Sequence, residues 1–225
     1  MQANDKLIIA LDFPDKNQAL SLVDQLDGVA DFFKIGMELG LRVDDEFISS
    51  LVKRGKKIFL DYKYHDIGNT VESAVRNAAD LGVYMLTVHA EKQVLTAAVN
   101  GAKGTKTKVF GVTVLTSLGE DYAAQYGLSV QELVLKRAAW AHYLGANGVI
   151  SSPLEAKLIR TQFPALEICT PGIRPAGSDK GDQNRTATPA EAIKNGANYI
   201  VVGRPITQAK APRQAAEDII KELQN

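Results

Sequence analysis

Residues 57–89 read KIFLDYKYHDIGNTVESAVRNAADLGVYMLTVH, and this stretch changes its period twice. Over 57–63 it has the composition of a strand. Strand side chains alternate faces, so Phe59, Asp61 and Lys63 share one face while Leu60 and Tyr62 share the other. Residues 69–81 then take helix-like amphipathic spacing. Asn69 with Glu72 three positions on has the pattern of a capping box, and Leu81-Gly82 places a glycine where a helix C-terminus wants one. Residues 84–89 return to a short apolar run rich in β-formers. The unit is strand, helix, strand.

The same unit repeats outward in both directions. Strands are predicted at 7–12, 32–36, 57–63, 84–89, 108–115, 148–151, 166–170 and 199–203. Helices are predicted at 15–26, 44–54, 69–81, 91–101, 130–144, 154–162, 189–195 and 208–223. Leu144-Gly145 and Asn195-Gly196 also precede strands. Eight strand–helix repeats without a linker point to an α/β fold, a (β/α)8 TIM barrel forming a single domain over 1–225. A doubly wound open sheet uses most of the same strands and is the competing arrangement. Residues 171–189, with Pro171, Pro175 and Pro189 and no hydrophobic period, form a long loop after the seventh strand.

The chain has 225 residues, 45% of them hydrophobic and 23% charged, which is globular composition and excludes a disordered chain. Lys plus Arg equals 26 and Asp plus Glu equals 26. With no global positive field, neither nucleic acid nor a membrane surface is an expected partner, although a few local cations can hold a small anion. Cys169 is the single cysteine; it excludes an intrachain disulfide and reads as a buried structural thiol rather than a nucleophile. The first apolar run ends after five residues at Asp12, too short for a signal peptide, and no run reaches 18 apolar residues. A soluble cytoplasmic protein is expected.

In a barrel the active site lies at the C-terminal ends of the strands. Those ends carry Asp12, Lys34, Asp61 with Lys63, His89, Thr116, Ser151, Thr170 and Gly203-Arg204. Lys34 faces away from Phe33 and Ile35, so Lys34, Asp61 and Lys63 are expected to enter the barrel mouth together, with Asp66 close by. A structural ion pair or solvated strand ends are the plainer reading, but several charges on one inward face need a use as well as partners. A lysine held among carboxylates is a poor nucleophile and a good general acid. Asp61 opposes a bound anion beside it. Loss of an anionic group leaving a carbanion, quenched by Lys63, fits these parts.

Gly203-Arg204-Pro205 after the eighth strand has the features of a phosphate turn: a glycine that admits an anion, backbone donors and a cation. Barrels use the loops after strands seven and eight for this purpose, and the long loop carries Arg174, Gln183 and Arg185, suited to a closing lid. Metal binding by His65 and Asp66 is disfavoured by the nearby ammonium groups, so no metal is expected. His89 reads as a hydrogen-bonding residue in the mouth, and His142 and Trp140 as helix packing or surface.

The run Phe59-Leu60-Asp61-Tyr62-Lys63-Tyr64-His65-Asp66-Ile67-Gly68-Asn69-Thr70 resembles the signature of the orotidine 5′-phosphate decarboxylase family. The likeness covers nearly the whole chain. Leu11-Asp12, Phe33-Lys34-Ile35-Gly36, Val114-Leu115-Thr116-Ser117, Pro171-Gly172-Ile173-Arg174, Gly181-Asp182-Gln183 and Val202-Gly203-Arg204-Pro205-Ile206 follow in order. Gly68 departs from the usual proline and loosens that turn. The resemblance implies cofactor-free decarboxylation of orotidine 5′-phosphate to UMP in de novo pyrimidine synthesis. It implies that Lys63 protonates C6, that Asp61 lies near the departing carboxylate, and that Asp12 and Lys34 contact the ribose. Thr116 would contact the base, and Arg174, Gln183, Gly203 and Arg204 the phosphate. Asp66 and Thr70 would reach a neighbouring subunit's site, which implies a homodimer.

The nearest rivals by pattern are sugar-phosphate lyases resembling 3-keto-gulonate-6-phosphate decarboxylase and hexulose-phosphate synthase. These share Asp-x-Lys-x-x-Asp but use magnesium and generally carry glutamate where this chain has Lys34. A non-catalytic nucleotide-binding barrel is the rival of another class, and simple binding has no need of alternating charges.

Overall fold

A computed structural model describes residues 2–175 and 186–224. Its strands are β1 (Leu7–Ala10), β2 (Phe32–Gly36), β3 (Lys57–Tyr64), β4 (Met85–His89), β5 (Lys108–Val112), β6 (Gly148–Ile150), β7 (Glu167–Thr170) and β8 (Tyr199–Val202). All pair in parallel with their sequence neighbours, and β8 returns to β1 through Leu7↔Ile200, Ile8↔Val201 and Ile9↔Val202. That last ladder closes an eight-stranded (β/α)8 barrel and eliminates the open sheet.

The helices described between and around them are α1 (Ala3–Lys6), α2 (Lys16–Gln25), α3 (Met37–Gly40), α4 (Asp45–Lys53), α5 (Gly68–Asp80), α6 (Lys92–Ala102), α7 (Glu120–Ala124), α8 (Val130–Tyr143), α9 (Ala156–Gln162), α10 (Pro189–Lys194), α11 (Arg204–Thr207) and α12 (Pro212–Glu222). The short α1, α3, α7 and α11 have no counterpart among the sequence expectations, because one turn is too brief to establish a period. No described helix is long and apolar enough to cross a membrane.

Alternation along the strands divides the core into two layers. Ile8, Ala10, Phe32, Phe59, Phe110, Cys169, Tyr199 and Val201 fill the barrel interior. Leu7, Ile9, Phe33, Ile35, Ile58, Leu60, Leu86 and Val88 face outward against the helices. At the N-terminal end, Lys108 Nζ lies 2.7 Å from Glu167 and 3.1 Å from the Tyr199 hydroxyl, and it stands over the Tyr84 and Tyr199 rings. This polar plug leaves the functional opening to the other end.

Most element boundaries shift by one to four residues from the sequence reading, and two of the shifts have a local cause. The capping box expected at Asn69 and Glu72 does not form: the helix begins at Gly68 behind Ile67, which makes no side-chain cap bond. Asp66 Oδ1 instead accepts from the Ile67 N–H at 2.6 Å. True capping boxes occur at Ser129/Glu132 and Thr188/Glu191. The fifth strand stops at Val112 rather than residue 115, since the chain bends away once Thr113 has bonded Ile150. Gly82, Gly145 and Gly196 do end helices, at φ +80°, +84° and +102°, the left-handed turn that glycine takes without strain.

Candidate active site

A cavity of about 290 Å³ opens at the C-terminal mouth, lined by Lys34, Asp61, Lys63, Thr116, Ser151 and Pro171 over an apolar floor that includes Phe59 and Val201. Its charges come from the inward positions one step beyond the hydrophobic layer. On β2 the inward residue after Phe32 is Lys34, and on β3 the one after Phe59 is Asp61. Beyond Ala10, just past the end of β1, it is Asp12.

The charges alternate along a line. Lys34 Nζ lies 3.0 Å from Asp12 Oδ1 and 3.7 Å from Asp61 Oδ2, and Lys63 Nζ lies 2.9 Å from Asp61 Oδ1. Asp61 and Lys34 have side chains only 14% and 10% exposed, whereas Asp12 is 51% exposed at the rim. An ammonium buried this deeply requires paired carboxylates. Gly36 makes room for the pair: a Cβ there would stand 3.0 Å from Lys34 Nζ and 3.1 Å from Asp12 Oδ1.

Lys63 reaches the cavity by an irregular path. The β3–β4 ladder runs Leu60↔Leu86 and then Tyr64↔Val88, so β3 spends four residues where β4 spends two. Lys63 sits in this bulge at φ +49°, the one described non-glycine residue with a left-handed backbone. Such a conformation costs about 1–2 kcal/mol and persists only where neighbours hold it. Bulges at barrel rims re-aim side chains in this way. Tyr62 and Tyr64 still pack outward against the helix layer.

Thr87 is the neighbour that holds the bulge, and the sequence reading overlooked it. Its fully buried hydroxyl accepts from the Lys63 N–H at 3.0 Å and donates to Asp61 Oδ1 at 2.9 Å. The available signal was its phase: Thr87 shares the inward face of β4 with Met85 and His89. Ser151 is a second omission among the roles assigned, lining the cavity with a buried Oγ that has no hydrogen-bond partner among the described residues.

The remaining sequence candidates lie around this centre. Gly203 follows β8 beside β1; a Cβ there would lie 4.0 Å from Asp12 Oδ2. Arg204 opens the one-turn α11, and Arg174 follows β7, its backbone N–H bonding Ala187 across a bridge between Ile173 and Ala187. Neither arginine lines the cavity. Gln183 and Arg185 lie outside the described residues. Asp66 and Thr70 are exposed and do not line the cavity of their own chain.

His89 stacks near His65, ring centroids 5.0 Å apart, and His65 Nε2 lies 3.4 Å from Glu91. Burial, followed by the charges of His65 and Arg137, pushes His89 below its usual value, against an opposing pull from Glu91. Cys169 lies in the barrel interior, where burial first and Asp61 second push its thiol up, so it is a poor nucleophile. Asp61, the carboxylate among the described residues that line the cavity, already carries two ammonium partners, an arrangement suited to binding an organic anion.

Residues 5–219 match the model of the Orotidine 5′-phosphate decarboxylase / HUMPS family. A Methylobacterium nodulans protein named orotidine 5′-phosphate decarboxylase is 48% identical over 225 residues, covering 97% of this chain and 95% of that one. A namesake from Rhodopseudomonas palustris is 46% identical, covering 99% and 96%. The crystal structure of orotidine 5′-phosphate decarboxylase from Lactobacillus acidophilus superposes with a TM-score of 0.85 at 37% identity, covering 97% of this chain and 99% of the other. With its barrel, its lysine–carboxylate line and matches of this extent, the chain belongs to the orotidine 5′-phosphate decarboxylase / HUMPS family.

Proposed function

We propose that this protein is a cytoplasmic enzyme of pyrimidine biosynthesis that converts orotidine 5′-phosphate to UMP and CO₂ without metal or organic cofactor. The observation that carries the reading is the unbroken line Asp12–Lys34–Asp61–Lys63, which ends with an ammonium at the cavity. The names of relatives 46–48% identical support the substrate. Lys34 supports this branch of the family over the magnesium-dependent one, since an ammonium stands where a carboxylate ligand would be needed.

In this reading the substrate carboxylate lies beside Asp61, and like charge favours its departure. The C6–carboxylate bond breaks, CO₂ leaves, and the electron pair stays on C6. Lys63 Nζ then delivers a proton to C6 and is left as a neutral amine, recharged from solvent. Lys34 and Asp12 hold the ribose and Thr116 the base. Arg174, Gln183, Gly203 and Arg204 hold the phosphate, whose remote binding energy serves the transition state. Asp66 and Thr70, exposed on their own chain, complete the site of a second copy in a homodimer. Neither nucleic acid nor membrane takes part.

The test is turnover of orotidine 5′-phosphate in EDTA, followed by loss of its absorbance. Full activity is expected, with Lys63→Ala slower by at least about 100-fold. Near-wild-type turnover by Lys63→Ala overturns the proton donor, and activity lost in EDTA but restored by magnesium overturns the cofactor-free reaction.

A further inference from the structure

We infer that Thr87 is a positioning residue for this reaction, its single hydroxyl fixing both the Asp61 carboxylate and the strained backbone of Lys63. The inference rests on the reading above, in which Lys63 supplies the proton.

The polarity of the arrangement leaves the hydroxyl one orientation. A backbone N–H can only donate, so Thr87 Oγ1 accepts from Lys63. An ionised carboxylate can only accept, so the hydroxyl proton goes to Asp61 Oδ1. Lys63 Nζ bonds the same Oδ1, which closes a ring from the Lys63 amide through Thr87 and Asp61 back to the Lys63 ammonium. The other oxygen, Oδ2, is left to face Lys34. One hydroxyl thus sets which oxygen serves which lysine.

The backbone supplies the second reason. Lys63 occupies a left-handed conformation inside a bulge that gives β3 four residues against two of β4. Thr87 lies on β4 between the two paired positions Leu86 and Val88, directly across from the detour. Its branched side chain has few rotamers, and it is wholly buried, so the acceptor it offers is rigid. Without that acceptor the Lys63 amide loses its partner, and the residue can relax toward the extended region. The ammonium then moves relative to C6. A misplacement of roughly 1 Å can lower a rate about 100-fold.

The experiment compares Thr87→Val, which keeps the shape and removes the hydroxyl, with Thr87→Ser, which keeps the hydroxyl. Lys63→Ala is assayed alongside. The valine variant is expected to lose about 10- to 100-fold in kcat while KM and UMP affinity change less than about 3-fold, and serine is expected to recover most of the loss. Melting temperatures recorded for each variant separate unfolding from mispositioning, and Thr87→Ala replaces valine if the latter does not fold. Wild-type kcat in the valine variant, a loss confined to KM, or equal losses in valine and serine each overturn the positioning role. If Lys63→Ala retains wild-type turnover, it is the proton-donor reading that falls.

Discussion

Lys63 Nζ lies 2.9 Å from Asp61 Oδ1, although the two residues stand two positions apart on one strand. In a regular strand such a pair would run side by side into the barrel. Here the bulge turns the Lys63 backbone to φ +49° and brings its ammonium back onto the carboxylate. Lys34 takes the other face of Asp61 at 3.7 Å, so the carboxylate lies between two cations. The cavity thus presents an array whose own charges are already matched.

Mixing subunits tests the shared site. Asp66→Asn and Lys63→Ala should each be inactive alone. In a two-fold dimer, random one-to-one mixing makes half the molecules mixed, each with one intact site, and recovers about a quarter of wild-type activity. No recovery, with subunit exchange verified by native mass spectrometry, would remove Asp66 from the neighbour's site.

His89 should make stability depend on pH. His89 is pushed below its usual 6.5, so the unfolded chain binds its proton more readily than the folded one. Acidification through that value therefore favours unfolding, and the effect levels off below the folded-state value. His65, Glu91, Arg137 and Lys63 act on this ring and remain in a His89→Gln variant. The fall in urea midpoint between about pH 7.5 and about pH 5.5 should be smaller in that variant than in the wild type. An equal fall would assign the acid sensitivity elsewhere.

Gly148 sets the barrel's internal spacing. A Cβ added there would collide with the Glu167 carbonyl oxygen and come 2.5 Å from the Phe110 ring, which itself packs against Tyr199. Gly148→Ala should destabilise the barrel by about 1–3 kcal/mol, lowering Tm by about 3–10 °C. An unchanged thermal melt would mean that β6 and β7 part freely at this level.

Several features were legible from short stretches of sequence because their causes are local. The two-residue strand period places Phe32 and Lys34, and Phe59 and Asp61, on the inward face whatever lies across from them. Gly82, Gly145 and Gly196 likewise mark helix ends because a left-handed residue penalises any side chain. Asn69 misled because a capping pattern specifies only what a residue can bond. Where the helix starts was decided by the turn through Asp66 and Ile67.

By itself, then, the sequence determined the strand phase, the order of strands and helices, and the charges delivered to one end of the barrel. Tertiary structure decided the closure of β1 onto β8, the bulge at Lys63 and the role of Thr87 across from it. The physical reason is the range of the forces involved. Side-chain alternation and helix capping depend on residues a few positions away, whereas a strained backbone is held only by a partner that folding carries in from another strand.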